Sequence, residues 1–392
     1  DDRAFESVST DSRTLPKGAL FVALSGENFN GHDFVAAAAE RGAVGALVGQ
    51  TLPVAIPQVV VADPLAALSA FAHEWRRQFA IPVIGVTGSN GKTTTKELIA
   101  AILSRVGPTL VTQGNLNNHI GVPLTLLGLK AEHRFAIIEM GANHQGEIAH
   151  LTSIAEPTIG LVTNAGAAHL EGFGSLEGVA VGKGELFRAL PSDGVAIINA
   201  DDAFASMWRD NRSAERMLTF GFEQPAHFMA HKVTSKSDAA GFHIDFDLVT
   251  PEGTRPATLG LAGLHNLRNA LGAAAAAYAA GASVDDIVEG LAAMKPVAGR
   301  LELKPAINGA FLVDDSYNAN PSSLKAGLDT FREFGGTRWL VLGEMKELGE
   351  NADALHAEVG RYARDAGVQR LLAVGEGSHF AVEAFGPGAK WF

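Results

Sequence analysis

Cysteine is missing from this 392-residue chain. Disulfides and thiolate metal centres are therefore excluded, and a reducing compartment such as the cytoplasm is the expected setting. Aromatic residues are sparse at 7 %, which leaves small aliphatic side chains to fill whatever core forms. No apolar run approaches the roughly 20 residues of a membrane span, so no membrane association is expected. A basic field is lacking too: 31 Lys and Arg stand against 43 Asp and Glu. A net negative chain repels nucleic acid and anionic lipid at long range, so any phosphate it binds must be met by a local device. The first residues, Asp1-Asp2-Arg3-Ala4-Phe5-Glu6, carry neither an initiator methionine nor the basic head and apolar stretch of a signal peptide. The numbering is expected to start inside a longer product.

What the chain does contain is glycine, 44 residues of it, within a composition that is 47 % hydrophobic. That balance suits an α/β fold, in which short apolar strands alternate with alanine-rich helices. The length leaves room for two or three domains. Strand-like runs at 18–24, 44–48 and 58–62, with a helix over Asp33 to Arg41, predict a small first domain, 1–80. Ile81 to Thr87 opens a second unit, 81–298, as a continuous apolar run of the kind that parallel strands form when both faces are buried. Further strands are predicted at Phe135 to Met140, Thr158 to Thr163 and Gly194 to Asn199, between helices at Lys92 to Arg105, His144 to Ala155 and Ser175 to Leu190. Such alternation implies parallel pairing. Residues 217–262 break the rhythm with polar-apolar alternation and predict an antiparallel patch at the sheet's edge. Asn269 to Ala280 reads as a helix that Gly281 can end.

A third alternating unit, 299–392, is predicted from strands at Phe311 to Asp315, Trp339 to Leu342 and Arg370 to Val374, with helices at Ser322 to Phe334 and Asp353 to Ala366. About three strands are fewer than the roughly five or six of an average sheet, so this unit is expected to continue past Phe392. No internal repeat is found.

The clearest chemical signal is Gly85-Val86-Thr87-Gly88-Ser89-Asn90-Gly91-Lys92-Thr93-Thr94-Thr95, set between an apolar strand and an amphipathic helix. This is what a phosphate-binding loop needs. Glycines turn backbone amides toward phosphates, the helix N-terminus adds positive charge, Lys92 reaches the outer phosphates and Thr93 can ligate magnesium. The strict spacing places a glycine where Val86 stands; here glycines occupy Gly85 and Gly88 instead. Gly88, Ser89, Asn90, Gly91, Lys92, Thr93 and Thr94 are thus the candidate ATP-binding residues.

Other candidates have two readings each. Glu139 ends an apolar strand and would sit in the crevice where open α/β sheets bind ligands, able to hold magnesium; it could equally cap a helix. His169, in a glycine-rich loop after another strand, is a site residue or a structural histidine. Asn115, Asn117 and Asn118 suit a peptide or carboxylate ligand, and asparagine is also a common turn residue. Lys183, in Val181-Gly182-Lys183-Gly184-Glu185, would ordinarily be a solvated helix face.

In their order along the chain these motifs stop being independent. Thr-Gly-Ser-Asn-Gly-Lys-Thr is followed by Asn-Leu-Asn-Asn-His-Ile-Gly-Val-Pro, Glu-Met-Gly-Ala, His-Leu-Glu-Gly-Phe-Gly-Ser-Leu-Glu and Lys-Gly-Glu-Leu-Phe. Gly-Leu-His-Asn-Leu-Arg-Asn-Ala, Gly-Arg-Leu-Glu, Asp-Asp-Ser-Tyr-Asn-Ala-Asn-Pro and Leu-Gly-Glu-Met-Lys-Glu-Leu-Gly come after them. The series, from Asp11 to about Gly360, resembles the Mur ligases of peptidoglycan synthesis. The resemblance implies three domains: an N-terminal one for the UDP end of a sugar nucleotide, a central P-loop ATPase, and a C-terminal Rossmann-like domain that closes over the site.

By the same resemblance Ser12 and Arg13 lie near the uridine nucleotide, Asn266 and Asn269 near adenine, Arg300 at the nucleotide phosphates and Asp315 near the ribose. Thr93, Glu139, His169 and Lys183 match a cluster for a pair of magnesium ions, with Lys183 carbamylated. A carbamate would convert a cation into an anionic oxygen donor. Lys92, Lys183, His169 and Glu139 are then the catalytic group. The implied reaction, in a monomer, is ATP-dependent joining of D-alanyl-D-alanine to UDP-N-acetylmuramoyl-tripeptide through an acyl phosphate. Two alternatives remain: a relative that adds a single diamino acid, and a protein that binds ATP to switch conformation and makes no bond. Against the first, the Asp-Asn-Pro-Arg of diaminopimelate-adding relatives does not occur.

Overall fold

The run Val83–Thr87 folds as a strand with all of its side chains buried, inside a six-stranded parallel sheet. This computed structural model describes residues 4–26, 29–167, 170–238, 241–332 and 335–392. Across the sheet the order is Arg216–Phe220, Val195–Asn199, Ile159–Val162, Val83–Thr87, Phe135–Glu139 and Thr109–Val111, each neighbour parallel to the next. From Val83–Thr87 the chain runs outward to Thr109–Val111, fills the gap with Phe135–Glu139, then crosses to Ile159–Val162 on the other side. Val83–Thr87 is therefore the switch point of the sheet, and the crevice beyond its carboxyl end is where open α/β sheets bind ligands.

Alternate side chains of this strand serve two cores. Ile84 and Val86 face Leu98, Ile102 and the alanine-rich helix Leu264–Ala279, in which Ala273 to Ala277 are wholly buried. Methyl side chains let that helix lie close against the helix Lys92–Val106. Val83 faces Ile148, Leu151 and Leu186, which come from the helices Glu147–Ala155 and Leu176–Arg188.

A four-stranded parallel sheet forms the N-terminal part, in the order Ser7–Ser9, Ala19–Val22, Gly45–Val48, Gln58–Val60. Helix Pro64–Arg76, capped by the Asp63 carboxylate on the Leu65 and Ala66 amides, joins this sheet to the centre. Its Leu68 packs with Val22, Leu24 and Leu47, Ala72 enters the central core, and Arg76 donates to the carbonyls of Ala155 and Glu156. The C-terminal part carries a three-stranded parallel sheet, Trp339–Gly343, Arg370–Val374 and Ala389–Trp391, packed with helices Pro321–Phe331, Ala352–Asp365 and His379–Phe385.

Two expectations change. The strand near 311 does not join that third sheet. Phe311–Asp314 pairs antiparallel with Glu302–Pro305 as a hairpin, because Asn308 (φ 57°) and Gly309 (φ 73°) turn the chain straight back. The break in rhythm after 217 is also finer than expected. Arg216–Phe220 is still a parallel edge strand, and the antiparallel strands Met229–Asp238, Gly241–Thr250 and Gly253–Leu259 form a separate sheet against helix Val284–Ala293. Among the described residues no helix is long and apolar enough to cross a membrane.

Candidate active site

The loop after Val83–Thr87 turns into helix Lys92–Val106 at Gly91, whose φ of +81° a side chain rarely adopts. A Cβ there would also stand 2.4 Å from the Asn269 Oδ1, so the loop sits directly against the first turns of the alanine-rich helix. Lys92 folds back over the loop and donates to the carbonyls of Gly88 at 2.7 Å and Ser89 at 3.2 Å. Burial lowers its pKa, Arg300 adds to the effect and Glu139 opposes it. Thr93 and Thr94 are buried at the start of the helix.

A cavity of about 630 Å³ opens over this loop. Its walls come from Ser89 to Thr93, from Asn117, Asn118 and His119, from Glu139, Gly141, Ala142 and Asn143, from Glu147 and His150, and from Arg300, Asp315, Tyr317 and Asn320 of the C-terminal part. Glu139 is only 2 % exposed. Its Oε1 accepts from Asn117 Nδ2 at 2.8 Å and from Thr93 Oγ1 at 3.4 Å, whereas its Oε2 is buried without a hydrogen-bond partner. A buried carboxylate beside a threonine hydroxyl at the cavity wall is a donor set that suits a hard divalent cation.

Arg300 reaches in from just before the strand Glu302–Pro305. Its Nη2 donates to Thr93 Oγ1 at 3.1 Å, and its guanidinium lies 4.3 Å over the Tyr317 ring. Asp315 accepts from the Leu301 amide at 3.3 Å, and burial raises its pKa. The C-terminal part also holds the loop itself: Asn90 Nδ2 donates to Ser322 Oγ at 2.8 Å, and Asn320 Nδ2 donates to Asn90 Oδ1 at 2.7 Å. Asn320 caps helix Pro321–Phe331, so the cap and the loop contact are one feature.

Lys183 is not a solvated helix face; it is 1 % exposed. Gly182 explains why, since a Cβ there would meet the Phe173 ring at 2.5 Å, and its absence lets that ring close over the helix. Lys183 Nζ donates to the Ala142 carbonyl at 2.9 Å and lies 5.0 Å over the same ring. Burial, reinforced by the charge of Lys92, pulls its pKa down to about 7, and Glu147 and Glu185 oppose the shift.

Of the remaining expected residues, Asn118 lines the cavity and accepts from the Gly121 amide at 2.9 Å. Asn115 is exposed and not among the lining residues. Asn266 and Asn269 are buried behind the loop instead of facing the cavity. Ser12 and Arg13 also lie outside the lining set, and Arg13 clasps Asp11 through two 2.9 Å hydrogen bonds. His169 falls outside the described residues. Sequence reasoning missed Tyr317, Asn320 and Ser322 as neighbours of the loop. It also missed Lys96, which is 1 % exposed and 3.9 Å from Glu139 Oε2. Position i+4 from Lys92 on the same helix is the one signal that could have suggested Lys96.

Comparison with known proteins matches three family models: "Mur ligase family, catalytic domain" over residues 4–76, "Mur ligase middle domain" over 86–277, and "Mur ligase, glutamate ligase domain" over 299–389. The UDP-N-acetylmuramoyl-tripeptide–D-alanyl-D-alanine ligase of Escherichia coli strain K12 is 45 % identical over 99 % of this chain and 85 % of its own. A crystal structure of MurF from Acinetobacter baumannii superposes with a TM-score of 0.92 at 38 % identity, covering 98 % of this chain and 84 % of that one. MurF ligase from Thermotoga maritima, solved in complex with ADP, gives a TM-score of 0.87 at 26 % identity, over 100 % and 89 % of the two chains. With a phosphate loop at the switch point, a carboxylate beside it and residues of the C-terminal part on the same cavity, the chain belongs to the Mur ligase family and within it to the MurF type.

Proposed function

We propose that this chain is an ATP-dependent ligase that joins D-alanyl-D-alanine to UDP-N-acetylmuramoyl-tripeptide, with the residues around the 630 Å³ cavity carrying the chemistry. The observation that carries the reading is the convergence of Lys92, Thr93, Glu139 and Arg300 on that single cavity. We divide the work among a UDP-binding unit (1–80), an ATP-binding unit (81–298) and a closing unit (299–392).

A free carboxylate is a poor acyl donor, so its hydroxide-like oxygen must first become part of a leaving group. The tripeptide's terminal carboxylate attacks the γ-phosphorus of ATP; the bond to the bridging oxygen breaks and ADP departs. The amine of D-alanyl-D-alanine then adds to the acyl-phosphate carbonyl, and the tetrahedral intermediate expels inorganic phosphate as the nitrogen loses its proton. For the first step the protein's task is positioning and charge neutralisation. Lys92 leaves the Gly88 and Ser89 carbonyls for the outer phosphate. The amides of Ser89 to Thr93 and the helix N-terminus hold the inner phosphates. Arg300, braced on Tyr317, adds positive charge from the closing side.

Magnesium, when bound, neutralises phosphate oxygens; Thr93 and Glu139 would hold it, with His169 and a carbamylated Lys183 completing the set. A lysine titrating near pH 7 keeps much of its amine neutral there, and the neutral amine is the form that adds carbon dioxide. Asn117 orients Glu139. Asn266 and Asn269 are assigned to the adenine side, Asp315 to the ribose, Asn115, Asn117 and Asn118 to the acceptor peptide, and Ser12 and Arg13 to the uridine end.

The test is a phosphate-release assay with ATP, magnesium, the sugar-nucleotide tripeptide and a panel of amino acids and dipeptides. Release that requires both the tripeptide and D-alanyl-D-alanine supports the reading. Release with a single diamino acid would move the chain to the other type, and slow ADP release that needs no acceptor would make it a switch.

A further inference from the structure

Lys96 is a charged side chain with no part in the chemistry above, yet it is among the largest fully buried side chains of the molecule. Its Nζ donates to the Thr112 carbonyl at 2.8 Å and pairs with Glu97 at 2.9 Å. The third neighbour is Glu139 Oε2, the carboxylate oxygen without a hydrogen-bond partner, at 3.9 Å. Thr112 ties the same group a second time, because its Oγ1 accepts from the Glu139 amide at 3.0 Å. Lys96 thus approaches the carboxylate from the core, while the cavity side of Glu139 is met by Thr93 and Asn117.

The geometry points to Lys96 as a positioning residue for the reaction: a fixed counter-charge that weakens the hold of Glu139 on a divalent cation until a nucleotide arrives. This rests on the reading of Glu139 as a cation-holding group. Lys96 faces that carboxylate directly, Arg300 reaches its neighbour Thr93 and Lys92 lines the same cavity, and the three cations differ in freedom. Lys92 and Arg300 line the cavity and can turn to phosphate. Lys96 does not line it, and its two close partners hold it in the core. With the loop empty, a metal ion meets a carboxylate whose charge Lys96 already offsets. Phosphate oxygens then supply the negative charge that makes binding favourable, so cation and nucleotide are expected to enter together. A carboxylate with no such partner would take the cation alone and hold the site in a state that obstructs nucleotide entry.

The experiment measures binding of manganese(II), as a paramagnetic substitute for magnesium, to the full chain by electron paramagnetic resonance, with and without ADP. In the unaltered protein, ADP is expected to tighten manganese binding by roughly tenfold or more, and manganese to tighten ADP equally by linkage. Lys96→Met and Lys96→Gln, the latter keeping a donor for Thr112, are expected to bind manganese without nucleotide roughly tenfold more tightly than the parent. Lys96→Arg is expected to behave as the parent. A merely structural role would weaken metal binding instead, so weaker or unchanged nucleotide-free affinity in a folded Met or Gln variant overturns the inference. If neither variant folds, equal manganese affinity with and without ADP in the unaltered chain overturns it. Glu139→Gln separates the two readings. If it binds manganese as the parent does, the metal assignment fails; if it loses binding while Lys96 variants show no tightening, only the role of Lys96 fails.

Discussion

Lys92 spends its protons on the carbonyls of Gly88 and Ser89, so the loop stores its cation where an outer phosphate would draw it off. Lys92→Ala should leave the circular dichroism spectrum unchanged and lower turnover by at least about 100-fold, the scale for removing one preorganised charge-stabilising donor. His265 makes a different prediction. Burial, assisted by the charge of Arg268, holds its pKa at about 4 against the ordinary 6.5. Between those values the unfolded chain takes up a proton that the folded chain refuses, so stability falls as pH drops from 6.5 toward 4 and this contribution then levels off. Replacing the residue, His265→Gln, should flatten urea-melt stability across that window by about 3 kcal/mol relative to the parent. An identical acid slope in parent and variant would contradict the assignment.

At the scale of elements, the unit that matters is strand, loop and helix from Val83 to Val106, and it was legible because its signals are local. A continuous apolar run, glycines at the turn and an amphipathic helix each follow from neighbouring residues. Helix Pro321–Phe331 was legible in the same way, as a helix over Ser322 to Phe334, although its Asn320 cap and its first residue Pro321 were not singled out. What local pattern could not convey was burial of charge. Lys96 and Lys183 look like solvated lysines in sequence, and only the packing of the 109–112 segment over one, and of Phe173 over the other, takes them out of water. Nor could pattern tell that Phe311–Asp314 turns back on Glu302–Pro305, since the run Phe311-Leu312-Val313 reads like a buried parallel strand. The loop's tightness is testable through Gly91→Ala. With φ at +81° and a Cβ 2.4 Å from Asn269 Oδ1, the variant should lose about 1 to 2 kcal/mol of stability from the backbone alone. Titration with a fluorescent ATP analogue should show weaker binding as well. Undiminished affinity would mean that the loop's geometry is not what grips the nucleotide.

For the whole molecule, the decisive contacts join segments more than 200 residues apart. Asn90 meets Asn320 and Ser322, and Arg300 meets Thr93; together they seat the start of helix Pro321–Phe331 and the segment at Arg300 on the phosphate loop. No sequence pattern pairs such positions, so the three units were legible in the alternation of strands and helices, whereas closure of the C-terminal unit over the site was expected from the family resemblance alone. Two hydrogen bonds at a partly exposed interface contribute about 0.5 to 1.5 kcal/mol each. Removing both through Asn90→Ala should shift the population toward detached C-terminal units, seen as a larger radius of gyration in solution X-ray scattering. An unchanged radius would leave Arg300 and Thr93 as the sufficient link.

The claim on which the account depends is that ATP is spent on the acceptor's carboxylate. It is tested most directly by placing oxygen-18 in the terminal carboxylate of the tripeptide and analysing the phosphate formed during ligation by mass spectrometry. The account predicts one labelled oxygen in each phosphate, carried over from the acyl phosphate. Phosphate free of label, with product formed, would contradict it.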